Sequence, residues 1–200
     1  MKSKTYLIWA AFWLSAAFAN GQGVALFDQQ STNLIEGSAP LSGFYRPVGQ
    51  SFTPALSSVG FVTLMLYDGD ALHISSGNVH VNLRANSITG PILGTSLTVS
   101  IPDNFFDVTN FSFALSVAVI PGTTYYFEPE VISGNPGIGS YITDASYTGG
   151  SEILEGVPLA GRNLWFCEGI YVVPEPPAVS LVAISSGLVL WAWRRRNLAP

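Results

Sequence analysis

Turn-forming clusters recur about every ten residues through the middle of this chain, and that spacing constrains its fold more than any other feature. They are Asp68-Gly69, Ser76-Gly77, Thr89-Gly90-Pro91, Pro102-Asp103, Pro121-Gly122 and Gly134-Asn135-Pro136. No stretch between them sustains a 3.6-residue apolar period. The intervening segments are short and either alternate or run apolar. Phe61 to Tyr67 (F-V-T-L-M-L-Y) is apolar on both faces and predicts a central strand. Val79 to Arg84 alternates, with Val79, Val81 and Leu83 facing one way and His80, Asn82 and Arg84 the other. Gly49 to Thr53, Ile92 to Ser100 with an interruption at Gly94, Phe111 to Val119, Thr123 to Ile132 and Leu164 to Tyr171 complete the predicted strands, the last with Trp165 in the core. Pro136 to Gly161 reads as a long Gly- and Ser-rich loop with one weak strand around Ser140 to Thr143. Short strands at this spacing predict an all-β fold, an antiparallel β-sandwich of jelly-roll-like type.

That body spans residues 20–172, and the ends read differently. Met1 to Ala19 has Lys2 and Lys4, an apolar stretch from Tyr6 to Leu14, and the small residues Ala17 and Ala19 at the positions a signal peptidase accommodates. The expectation is a helical secretory signal over residues 1–19, cleaved after Ala19 following passage through the Sec translocon. An uncleaved membrane anchor is the other reading.

Ala178 to Trp193 is free of charge, long enough as a helix to cover roughly 24 Å of a ~30 Å hydrocarbon core. Trp191 and Trp193 suit a membrane interface, and Arg194, Arg195 and Arg196 suit the cytoplasmic side. Upstream, Pro174, Pro176 and Pro177 keep the junction extended. The order Pro174-Glu175-Pro176, apolar helix, arginine cluster resembles the PEP-CTERM sorting signal, over residues 173–200. That resemblance implies a Gram-negative host making exopolysaccharide, and an exosortase partner that processes the chain near the motif after the tail has held it in the membrane. A retained single-span tail anchor is the alternative. A looser resemblance, from Gly49 to Glu128, is to a β-sandwich module of other PEP-CTERM proteins; it implies fold and no activity.

Charge and cysteine content exclude further classes. Five of the eight basic residues lie in the terminal segments. The body keeps three arginines against 12 acidic residues, a balance near −9 that argues against nucleic-acid binding. Cys167 is the single cysteine, so no intrachain disulfide forms and a packed core must supply the stability. It reads as a small buried hydrophobe, with pairing between chains as the alternative.

Catalytic motifs are absent: there is no G-x-S-x-G, H-E-x-x-H or P-loop pattern. His80 reads as a strand histidine on a polar face and His73 as a loop residue. Asp68 and Asp70 flank a glycine on a turn and could offer oxygen ligands to calcium, though an ordinary acidic turn explains them as well. Tyr125, Tyr126 and Phe127 precede Glu128 and Glu130, and alternation should turn one tyrosine outward as a sugar-stacking surface or as cross-strand packing. The expected function is a non-enzymatic surface or matrix role, with weak polysaccharide binding at residues the sequence does not identify and no resident cofactor. A secreted glycan-acting hydrolase is the alternative. A carboxylate pair in a cleft would favour it.

Overall fold

Phe61 to Tyr67 forms the middle of the most heavily paired strand. The computed structural model describes residues 23–69, 76–134 and 136–172, with the side chain of Glu36 left aside. Ala25–Tyr171 is one compact unit; the second unit, Met1–Val24 with Val172–Pro200, lies almost wholly outside the described residues. The predicted signal and tail, with Ala17, Ala19, Pro174, Glu175, Pro176, Arg194, Arg195 and Arg196, therefore lie outside the described residues, as do Asp70 and His73. Among the described residues no helix is long and apolar enough to cross a membrane.

The strands are β1 (Val24–Ser31), β2 (Leu34–Pro40), β3 (Gly49–Phe52), β4 (Ser58–Asp68), β5 (Gly77–Ala85), β6 (Ile92–Thr95), β7 (Val99–Ile101), β8 (Phe106–Ala118), β9 (Tyr125–Gly134), β10 (Ile138–Thr143), β11 (Glu152–Leu154), β12 (Val157–Leu159), β13 (Asn163–Leu164) and β14 (Phe166–Val172). They form two seven-stranded antiparallel sheets packed as a β-sandwich. In the first sheet β4 is the hub. β8 runs along one edge of it, and the other edge is shared by β14, opposite Phe61 to Leu64, and β10, opposite Leu66 to Asp68. β1 lies outside β14, while β2 and β13 pair with β10. The second sheet runs β12-β11-β3-β9-β5, and β6 and β7 share the remaining edge of β5.

Side-chain alternation decides what enters the core. Val62, Leu64 and Leu66 of β4 face Val79, Val81 and Leu83 of β5, with Phe52, Phe111, Phe127 and Phe166 filling the space between, all sealed from solvent. Each such residue contributes roughly 1.5–3 kcal/mol by leaving water. The outer face of β4 is apolar for a separate reason: Phe61 is covered by Phe27 and Tyr171, at ring separations of 5.6 and 4.9 Å. Parity also corrects one expectation. Leu164 and Phe166 point into the core, so Trp165 between them is only half-buried.

Two further differences are architectural. Pro136 to Gly161 carries the expected strand around Ser140 to Thr143 as β10, but the remainder is not all loop, because β11 and β12 follow. Ile92 to Ser100 splits into β6 and β7, where Ser96 turns to donate its backbone amide to the Val81 carbonyl and to accept the Val81 amide on Oγ. The sheets are joined at one end by a buried polar clamp. Gln50 of β3 donates Nε2 to Asn163 Oδ1 at 2.8 Å and accepts the Leu164 amide at 2.9 Å. Asn163 Nδ2 donates in turn to the Asp144 and Tyr147 carbonyls, holding the segment after β10.

Candidate functional site

The outward face of β5 and β9 brings together most of the chemistry-bearing residues singled out in the sequence. In the β5–β9 register His80 lies opposite Glu130, Asn82 opposite Glu128, and Arg84 opposite Tyr126. The β-strand period of two puts all six on the face away from the core. Of the two tyrosines, Tyr125 is buried and Tyr126 is the one turned out.

Charges on this face are matched. Arg84 places Nε and Nη2 on Glu128 Oε2 at 2.8 and 2.7 Å and donates Nη1 to the Gly90 carbonyl at 2.8 Å. Glu128 is almost fully buried, so this pairing is what keeps a charged carboxylate tolerable there. Glu130 accepts Asn82 Nδ2 at 2.9 Å, pairs with Arg46, and approaches His80 Nε2 at 3.4 Å. Thr95 Oγ1 donates to Asn82 Oδ1 at 2.7 Å, fixing the amide. Burial holds the His80 imidazole below its ordinary value, Glu128 pulls it back up, and Arg46 lowers it again.

Arg46 extends this face toward a short 3-10 turn, Gly43–Tyr45, that presents Phe44 and Tyr45 to solvent. The turn is anchored to the β11–β12 hairpin: the Glu155 amide donates to the Tyr45 carbonyl and the Gly156 amide to Pro47. The result is a polar sheet face with aromatics at its margin. Phe44 and Tyr45 were not singled out in the sequence, because their exposure depends on where the turn docks.

A second group, buried, was also unforeseen. Glu168 stands opposite Val62 and so points into the sandwich interior, fully buried, against Asp28. Tyr147 is nearby, its hydroxyl accepting the Thr53 amide at 3.1 Å. Beside it opens a polar hollow of about 550 Å³ lined by Gln29, Gln30, Thr32, Thr53, Tyr147 and Thr148. An apolar groove of about 500 Å³ lies between Leu93 and Leu115. Neither is lined by Glu128 or Glu130.

Asp68 accepts the Asn104 amide on Oδ2 at 3.0 Å. Among the described residues, no group of three or more His, Cys, Asp or Glu could hold a metal ion. Cys167 is buried, and its surroundings push the thiol up from its ordinary value.

No protein-family model and no curated protein matches this chain.

Proposed function

We propose that the chain is an exported surface or extracellular-matrix component, sorted by its PEP-CTERM tail, whose jelly-roll-like body acts without catalysis. Its role is structural, with weak contact to polysaccharide. The sorting half rests on Pro174-Glu175-Pro176, the apolar run and Arg194 to Arg196. The binding half rests on one observation. Glu128 and Glu130 share an outer sheet face, but both are engaged by Arg84, Arg46 and Asn82, beside half-buried, outward-facing Tyr126 and exposed Tyr45. Hydrolysis of a glycan by paired carboxylates needs one group free to donate a proton and one free to attack or to activate water. Carboxylates locked to arginine suit hydrogen bonding to sugar hydroxyls instead, with aromatic rings to stack on.

The test has two parts. Intact-mass analysis of protein from the host's membrane and extracellular fractions should find a chain running from Asn20 to near Pro174–Pro177 at the surface or in the medium. A chain retaining residues 178–200 only in the inner membrane overturns the sorting reading. Affinity electrophoresis of the full chain in gels containing the host exopolysaccharide should show retardation that Tyr126→Ala and Arg46→Ala reduce. New reducing ends released from that polysaccharide would favour the secreted hydrolase.

A further inference from the structure

The folded body has one pole free of unmatched charge, and the chain leaves the fold there. β4 begins and β8 ends at this pole, Ser58 lying opposite Ala118. The turn after β8 folds over it, with the Val119 amide on the Ser57 carbonyl at 3.0 Å and the Gly122 amide on Pro54 at 2.9 Å. β1 and β14 run antiparallel beside β4. Gly169 packs on the backbone of Leu26 and Phe27, while Cys167 lies two residues deeper, 4.0 Å from Gln30 Oε1. Ala25 and Tyr171, the two ends of the compact unit, therefore emerge side by side.

Large apolar side chains stand open around this pole: Leu26 is 47% exposed, Phe27 56%, Ile120 66% and Tyr171 44%. The segments that converge there, residues 25–27, 55–61, 112–126 and 169–171, contain no Asp, Glu, Lys or Arg. That is unusual on a body whose charge balance is near −9. Of the nearest ionisable groups, Asp28 accepts the Ala55 and Leu56 amides at 2.8 Å each, Arg84 is paired with Glu128, and Glu168 is sealed inside the sandwich.

We infer that this pole, carrying Leu26, Phe27, Ile120 and Tyr171, docks against the headgroup–acyl boundary of the membrane. The inference rests on the tail reading. Tyr171 is seven residues before Ala178, where the apolar run begins, so the connecting chain reaches at most about 25 Å. While the tail spans the membrane, this pole cannot leave the membrane's neighbourhood. Uncharged aliphatic and aromatic side chains are what an interface accepts, and tyrosine keeps its hydroxyl in the polar layer. Tyr171 shows that division: its ring packs on Phe61 and its hydroxyl accepts Asn110 Nδ2. An acidic pole would be repelled by anionic lipid. Removal of the tail ends the tether and leaves a weak contact, so release follows processing.

The test uses the full chain in phosphatidylethanolamine–phosphatidylglycerol vesicles containing lipids with headgroup-level nitroxides. A fluorophore is placed, in a Cys167→Ser background, at Leu26→Cys, Ile120→Cys, Asp103→Cys or Ala183→Cys. Asp103 lies beyond the far end of β4, about 33 Å from the docked pole. Labels at 26 and 120 should lose most of their fluorescence and the label at 103 should keep it. Ile120 sits on an exposed turn, so its variant reports even if Leu26→Cys disturbs β1. If 183 is quenched while 26 and 120 behave like 103, docking is overturned and the tail reading stands. If 183 is unquenched, the tail reading fails and the inference falls with it.

Discussion

Glu168 lies against Asp28 with its carboxyl sealed inside the sandwich. Neither of its oxygens has a hydrogen bond of ordinary geometry and the Gln29 backbone amide gives its charged form only minor support, whereas Asp28 accepts the Ala55 and Leu56 amides. Two carboxylates in contact need a shared proton, and the chemistry assigns it to Glu168, which then donates to Asp28. Burial first, then the Asp28 charge, pushes the Glu168 carboxyl up to about 8. The same burial, with smaller contributions from both acids, takes Tyr147 up to about 12.

Stability should therefore fall as pH rises. An acid whose folded value lies above its unfolded value of 4.5 contributes fully below 4.5, and that contribution is lost as pH passes through about 8. The loss is on the order of a few kcal/mol. Urea unfolding at pH 5, 7 and 9 should show the decline, and Glu168→Gln should flatten it. An unchanged pH profile in the variant would remove Glu168 as the cause.

Gln50 should be the most costly polar side chain to truncate. It joins β3 to β13 through two hydrogen bonds made by a side chain with no solvent exposure. In Gln50→Ala the Leu164 amide and the Asn163 carboxamide both lose a buried partner. The expected loss is ~2–4 kcal/mol, seen as a lower denaturant midpoint with an unchanged slope. A loss below ~0.5 kcal/mol would mean that water replaces the amide.

Much of the fold was legible because period-two burial is written locally. Val79, Val81 and Leu83 could be placed inward from six residues of β5, and the apolar β4 could be read as central. β1 and β2 were not legible. Leu26, Phe27, Leu34 and Ile35 remain exposed, so their pairing with β14 and β10 leaves no alternation. β11 and β12 are three residues each, and their hairpin is held in the sheet by the long-range pairing of β11 with β3, which no local window contains. At the candidate site, Tyr126, Glu128 and Glu130 were visible as neighbours in sequence. The arginines that engage the two carboxylates are 44 or more residues away: the β5–β9 register brings Arg84 to Glu128, and the turn before β3 brings Arg46 to Glu130.

Arg46 should tune His80. The guanidinium both opposes an imidazolium charge and occupies Glu130, the carboxylate nearest the ring. Arg46→Gln removes the opposing charge and frees Glu130, so the His80 pKa should rise toward or past its ordinary 6.5. Imidazole resonances followed by NMR from pH 4 to 9 measure it directly. A downward shift would show that Glu130 leaves His80 when Arg46 is lost.

Gly169 should be the residue that lets β1 join the sheet. A Cβ there would run into the Leu26 carbonyl and crowd the Phe27 backbone. These are main-chain atoms, so they cannot swing aside as a side chain would. Gly169→Ala must therefore push β1 off β14, which also draws Phe27 away from Phe61 and Asp28 away from the Ala55 and Leu56 amides. The rest of the first sheet is held separately, by β4 with β8 and β10. The expected outcome is local: hydrogen exchange should quicken from Val24 to Ser31 and along β14, while β5 and β9 keep their protection. Global stability should fall by ~1–3 kcal/mol. Equal loss of protection in both sheets would mean that β1 is part of the cooperative core and not an edge laid against it.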